Sequence, residues 1–216
     1  IRIGIGLGVF VVLGVILNFL HIMLDWRLFF LLSIIYPIFE VFRRIKKKQF
    51  NKKNFKFKLT KSNLNIFFVM LIFFACLQMY SGGAFKYPYL EDDDPWIYAQ
   101  SMKYVAEEKT VSSPEGFTFK YMDPYPPGYS LLIGVLHQTS ESLMWTMKFF
   151  NGLLISLGIL FFYFFAKKFM GDKNKALFAT FVIAAIPSFF THFIWAHSFV
   201  VMLFFPTMYS LEMIIE

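Results

Sequence analysis

The feature that most constrains this chain is the length of its apolar runs. Ile1–Leu24 carries only Arg2, Asn18 and His21 as polar residues, and Ser142–Ala166 is nearly as apolar. A helix crossing the hydrocarbon core of a bilayer needs about 20 such residues, whereas a soluble core helix does not. The composition agrees. Of 216 residues 57% are hydrophobic and 16% are charged, and 31 are Phe; a soluble domain carries about a quarter charged residues. The expected fold is all-α, a polytopic transmembrane helical bundle.

The only cysteine, Cys76, lies within an apolar run, which excludes a disulfide framework and a cysteine metal site. The net charge of +7 is unevenly spread. Ten of the 21 Lys/Arg fall between Arg43 and Lys61, where there is no acidic residue, and eight of the 14 Asp/Glu fall between Glu91 and Asp123, with three lysines. Charges of opposite sign in separate loops set orientation across a membrane, and argue against a basic groove for nucleic acid. No Walker loop, dinucleotide fingerprint, HExxH or paired CxxC occurs.

The charge pattern predicts a topology for an integral plasma-membrane or ER-type membrane protein. Residues 1–42 read as a transmembrane hairpin, with Ile1–Leu24 as its first member and the shorter Leu28–Phe42, kinked at Pro37, as its second. Residues 43–61 form a basic loop, cytoplasmic by the positive-inside rule, which can also lie on anionic headgroups of membrane lipids. Residues 62–216 form the core. Asn63–Tyr80 crosses outward and opens an exported stretch, residues 81–141. Within it Asp94–Lys109 reads as an interfacial helix, with an Asp N-cap and a Pro at its first position. Trp96, Ile97, Tyr104 and Val105 share one side of that helix. Pro126–Ser140 is too short to cross and is expected as a second helix lying against the outer face. Ser142–Ala166 returns inward, Ala176–Phe193 crosses outward with a kink at Pro187, and Phe199–Ile215 returns with Pro206 in its middle. A chain that begins at Ile1 and stops at Glu216 inside an apolar run is read as a piece of a longer protein.

The residues able to carry chemistry gather on the exported side. Glu91-Asp92-Asp93-Asp94 places four carboxylates in a row, which repel unless a cation or water screens them, and oxygen ligands suit Mg²⁺ and Mn²⁺. The other reading is that Asp94 caps a helix and its neighbours are solvated. Asp123, in the proline-rich segment Tyr121–Tyr129, is a further carboxylate near the cluster or a turn residue. Lys148, inside an apolar span, snorkels or meets a phosphate. His192 and His197 are five apart, off the spacing that places two ligands on one helical face.

Asp94-Pro-Trp-Ile-Tyr-Ala-Gln-Ser-Met-Lys-Tyr-Val, after an acidic run and before Tyr-Pro-Pro-Gly-Tyr, resembles the first exported loop of the GT-C membrane glycosyltransferases. The catalytic subunit of archaeal and eukaryotic oligosaccharyltransferase is the most similar branch. FFAKKFMGDKNKALFATF is also similar to that branch and to the polyprenyl-phosphate-sugar transferases. The resemblance covers roughly Leu64 to Glu216. It implies an enzyme that moves a sugar or oligosaccharide from a polyprenyl phosphate or pyrophosphate carrier to a protein or lipid acceptor on the outer face. It implies that Asp94 is the catalytic residue, with Asp93 second. It further implies that Asp94, with Asp92, holds Mn²⁺ or Mg²⁺ beside the reacting phosphate, or that Asp94 serves as a base in a metal-free branch. Asp123, Tyr125, Lys148 and His197 are the substrate-binding candidates. The chain departs from the oligosaccharyltransferase pattern at Ala196-His197-Ser198, where that branch carries a second Asp-x-Asp. The first two spans are extra to the usual core. The rival classes are a non-catalytic GT-C-like subunit of a membrane complex and, third, a transporter.

Overall fold

The computed structural model describes residues 1–46, 61–190 and 194–215. Every regular element among them is helical: α1 (Arg2–Phe19), α2 (Trp26–Lys46), α3 (Lys61–Ala84), α4 (Asp93–Glu108), α5 (Gly128–His137), α6 (Leu143–Met170), α7 (Lys173–Ala184), a 3₁₀ turn (Pro187–Phe190) and α8 (Ala196–Ile215). Four of these are long and apolar enough to cross a membrane: α1, α6, Leu64–Ala84 of α3 and Ala196–Ile214 of α8. Most of the basic loop, residues 47–60, lies outside the described residues, as does His192.

Helix α6 is the axis of the bundle, with α3, α7 and α8 packed along it. Its start is fixed by Ser142, whose hydroxyl accepts the Trp145 N–H at 3.2 Å, and its end by Gly171 in the left-handed conformation. One residue later Asp172 caps α7, accepting from the backbone N–H groups of Asn174 at 2.7 Å and Lys175 at 2.9 Å. Those bonds, from Lys175 first, hold the Asp172 carboxyl below its ordinary value. The expected span Ala176–Phe193 is therefore a broken element. Pro187 lacks an N–H and disfavours helix at the residue before it, so α7 ends at Ala184 and the chain continues as the 3₁₀ turn. Pro206, by contrast, is carried inside a continuous α8.

The bundle interior holds a buried polar link. Asn151 of α6 accepts from the Tyr129 hydroxyl of α5 at 3.0 Å and donates to the Tyr80 oxygen of α3 at 2.5 Å. Around it Met102, Ile133, Met147 and Ile159 are fully buried. Helices α4 and α5 join through Ser101 and Ser130, whose hydroxyls lie 2.8 Å apart, and through Gly134. A Cβ on Gly134 would sit 2.7 Å from Val105 and 2.9 Å from the Met102 carbonyl.

Helices α4 and α5 pack against each other. Helix α5 is enclosed by protein, with Tyr129–Val135 buried without exception. It stands beside α1 and runs in the same direction: Gly128 meets Val11, Leu131 meets Gly14, and Gln138 reaches Leu24 and Trp26. The buried side of α4 is Pro95, Tyr98, Ala99, Met102 and Val105, while Trp96 is exposed. The small residues Ser130 and Gly134 of α5 decide this, because they let that side of α4 come close.

The turn between α1 and α2 is tied to the segment after α4 by polar contacts. Asn18 accepts from Thr110 Oγ1 at 2.7 Å and from the Val111 N–H at 2.9 Å. The Leu24 N–H donates to the Lys109 carbonyl at 2.7 Å, and Lys109 Nζ meets Asp25 at 2.5 Å. Helix α2 differs from its neighbours: it buries only Phe29, and Glu40, Arg43, Arg44 and Lys46 load its last turns with charge.

Replacing Gly134 by Leu forces α4 and α5 apart, and overpacking of this kind costs about 1–3 kcal/mol; the expected result is a lower Tm in detergent, and an unchanged Tm contradicts the close packing. The hydrogen bond from Lys109, then that from the Arg27 N–H, holds the Asp25 carboxyl below its ordinary value. Its contribution to hairpin docking is thus complete above the ordinary carboxylate range and disappears as pH falls through the lowered value. Protection of residues 18–25 from hydrogen exchange is expected to fall on acidification, and Asp25→Asn is expected to remove that pH dependence.

Candidate functional site

The acidic run starts a helix, and the start determines where its carboxylates go. Asp92 has an extended backbone (φ −150°, ψ 170°) and its side chain accepts the Asp93 N–H at 2.7 Å. The N-cap is thus Asp92, and Asp93 and Asp94 occupy the first turn. Carboxylates are favoured at the positive end of the helix dipole, and Pro95 costs nothing there because first-turn N–H groups have no partner within the helix. Asp93 is exposed, whereas Asp94 is half-buried and turned towards the protein.

Asp94 accepts a short hydrogen bond from the Tyr121 hydroxyl. Tyr121 is positioned by the turn at Phe119, whose carbonyl accepts from the backbone N–H groups of both Met122 and Asp123 at 2.9 Å. Its ring stacks on Tyr98 (centroids 4.6 Å, 18° between planes) and meets Tyr125 edge-on at 5.6 Å. Tyr98 in turn packs edge-to-face on Tyr129 at 5.5 Å. A continuous aromatic path therefore joins the buried Asn151 to Asp94. The bond to Asp94 is the first cause that raises the Tyr121 phenol above its ordinary value, and burial is the first cause for Tyr98.

Two cavities meet at this carboxylate. One, of about 800 Å³, has Glu91, Asp92 and Asp94 on its polar side and Ile155, Val201 and Met202 of α6 and α8 on its apolar side. The other, of about 580 Å³, is lined by Tyr98, Tyr121, Tyr125 and Tyr129 together with Val11 of α1 and Leu203 of α8. Asp94, Trp195 and His197 line both. The Trp195 and His197 rings lie 5.0 Å apart, next to the start of α8.

Of the residues singled out from sequence, Asp92, Asp94, Tyr125 and His197 come together here. Asp93 is exposed and is not among the residues lining either cavity. Asp123 is exposed in the turn that follows Phe119. Lys148 is not among the residues lining either of these cavities: it is buried and donates to the Tyr87 carbonyl at 2.5 Å, which clamps the loop after α3 onto α6. Tyr98, Tyr121 and Trp195 line the site without having been expected there. The Tyr121–Tyr129 motif held the signal for Tyr121, while Trp195 is indistinguishable in sequence from a membrane-interface tryptophan.

Among the described residues no group of three or more His, Cys, Asp or Glu side chains converges to hold a divalent metal. One oxygen of Asp92 is committed to the helix cap and one of Asp94 to Tyr121. Among the described residues the side chains at this site therefore do not make a closed Mn²⁺ or Mg²⁺ site. Comparison of the chain with protein-family models, with curated proteins and with solved structures gives no match.

Replacing Asp94 by Ala removes the acceptor that keeps Tyr121 protonated. A fluorotyrosine at position 121 is expected to ionise at lower pH in Asp94→Ala than in the otherwise unchanged chain, read by ¹⁹F NMR. Identical titrations contradict the contact.

Proposed function

We propose that this chain is a GT-C-type membrane glycosyltransferase that transfers a sugar or oligosaccharide from a polyprenyl phosphate or pyrophosphate to an acceptor hydroxyl or amide on the outer face of the membrane. The observation that carries this reading is the single half-buried carboxylate shared by two cavities, one walled by carboxylates and span residues, the other by tyrosines. A donor with a polar head and an apolar tail needs a cavity that is polar at one side and apolar along the spans. Aromatic rings offer flat faces to the C–H faces of a sugar. A second reactant needs its own approach to the same oxygen.

In this reading Asp94 is the general base. An acceptor hydroxyl gives its proton to the carboxylate as its oxygen bonds to the anomeric carbon. The bond from that carbon to the carrier phosphate breaks, and the electron pair leaves with the phosphate. Tyr121 orients the carboxylate through its hydrogen bond. Lys120, with Nζ 5.0 Å from the Tyr121 ring centroid, lies over the ring of the residue that holds Asp94. Trp195 and His197 form the shared wall that keeps the reactants in register.

A non-catalytic subunit with the same architecture is the second reading. It is favoured by α2, which leaves Tyr36, Phe39 and Phe42 exposed and has an uncovered side for a partner in a membrane complex.

The test uses the full chain in liposomes with radiolabelled polyprenyl-linked sugars and an outer-face acceptor. Asp94→Asn keeps an oxygen for Tyr121 but cannot take a proton. Loss of a general base lowers the rate about 10²–10⁴-fold, with an unchanged Tm. Full activity in Asp94→Asn contradicts the catalytic assignment. Folded protein that transfers from no polyprenyl-linked donor contradicts the enzyme reading and leaves the subunit.

A further inference from the structure

Helix α2 joins the bundle through its first turns. The Trp26 N–H donates to Gln138 at 2.8 Å, and the Phe29 ring lies 4.3 Å from that of Phe10. Beyond Phe29 no side chain of α2 is buried, and among the described residues no helix packs along it. At about 100° per residue, Phe30, Val41, Ile38, Ile35, Phe39 and Tyr36 spread over more than half of its circumference, and all six are exposed. One partner helix covers a stripe of about 100°. Exposure this wide fits the acyl chains of a bilayer, which reach a peripheral helix from every free side.

The far end of α2 is charged. Arg43, Arg44 and Lys46 follow Glu40, whose carboxylate meets the Arg43 guanidinium at 3.6 Å and that of Arg44 at 3.3 Å. One acid thus faces three cations. In the sequence Glu40 is the last acidic residue before Glu91, and seven lysines follow from Lys47 to Lys61. The elements that this stretch leads into are basic as well. Near its start α3 is joined to α7, where Asn65 donates to the Lys173 carbonyl at 3.2 Å and to Asn174 Oδ1 at 2.9 Å. Lys167 and Lys168 lie in the last turn of α6, and the Asp172 carboxylate beside them is taken up by the α7 cap.

We propose that the last turns of α2, Glu40 to Lys46, form a binding surface for anionic phospholipid head groups, with acyl chains covering the exposed side of the helix. None of these residues lines the cavities at Asp94, so lipid binding here does not depend on the transferase reading. Charge selects the occupant. The positive-inside rule places this end at the cytoplasmic leaflet, where anionic lipids are found. A zwitterionic lipid offers the same acyl chains but no net charge for the three cations. A second copy of this chain, inserted in the same orientation, brings an equally basic end alongside, and like charges repel. Glu40 tempers the surface, because it holds two arginines that otherwise turn to a lipid phosphate.

The test uses the full chain in nanodiscs that hold phosphatidylglycerol and phosphatidylcholine in equal amounts. Each lipid in turn carries a diazirine near its head group, and labelling of residues 38–46 is read by peptide mass spectrometry. Phosphatidylglycerol is expected to label these residues at least about fivefold more strongly, the effect of one cation near an anionic surface. Residues 143–149, at the start of α6, are expected to show no preference. Arg43→Gln, Arg44→Gln and Lys46→Gln together are expected to abolish the preference at 38–46. Glu40→Gln frees both arginines and is expected to raise it about fivefold. Lys103→Gln, at an exposed lysine of α4, is expected to change nothing. Salt at about 1 M shortens the screening length to about 3 Å and is expected to weaken the preference in the unaltered chain, where no variant has to fold. Equal labelling by the two lipids overturns the proposal and leaves the exposed side of α2 to a partner subunit. A preference that survives both the triple substitution and high salt, or that does not rise in Glu40→Gln at an unchanged Tm, overturns it as well.

Discussion

The arrangement depends on one buried side chain. Asn151 sits in the third turn of α6 with both ends of its amide engaged, by Tyr129 of α5 and Tyr80 of α3. In an interior without water an unpartnered amide is costly, so α3 and α5 are held at the one rotation about α6 that satisfies it. The consequence reaches the site. Tyr129 is fixed by Asn151, Tyr98 packs on Tyr129, Tyr121 stacks on Tyr98, and Tyr121 holds Asp94. The carboxylate that borders both cavities is therefore positioned from the core outward, through groups that are large and flat and lose little entropy on being ordered.

The second constraint comes from small residues. Gly134 and Ser130 let α4 approach α5, and Gly14 and Gly128 let α5 approach α1. Hence the short helix α5 is surrounded by protein on every side and stands beside α1. Its enclosure turns the loop between α3 and α6 from a surface excursion into a wall of the bundle. Lys148 serves the same end from the other side, because its bond to the Tyr87 carbonyl satisfies a buried charge and a loop carbonyl together.

Much of this was legible in the sequence. Run length identified the long helices, since bilayer thickness leaves few alternatives for 20 apolar residues. The acidic run before Pro95 pointed to a helix start, and Asp94 does occupy its first turn. Other features were beyond pattern reading. The cap moved to Asp92 because proline is acceptable anywhere in a first turn. Which side of α4 is buried has no signal in its hydropathy, because a glycine on a distant helix decides it. The expected span at Ala176–Phe193 leaves the α-helix after Ala184 and continues as a 3₁₀ turn from Pro187, where local backbone chemistry prevails over apolarity. Asn151 carried a readable signal, a polar residue inside an apolar run, but its partners are 71 and 22 positions away and only the folded chain brings them together.

In the proposed transfer reaction, the reacting head of a lipid-linked sugar sits at the carboxylate where the two cavities meet. The most direct measurement is a cryo-electron microscopy structure of the full chain in nanodiscs with a non-hydrolysable polyprenyl-phosphate-sugar analogue. The predicted result is a sugar within hydrogen-bonding reach of Asp94, flanked by Tyr121 and Trp195. Density for that head elsewhere on a folded protein, with the Asp94 cavities empty, would contradict the account.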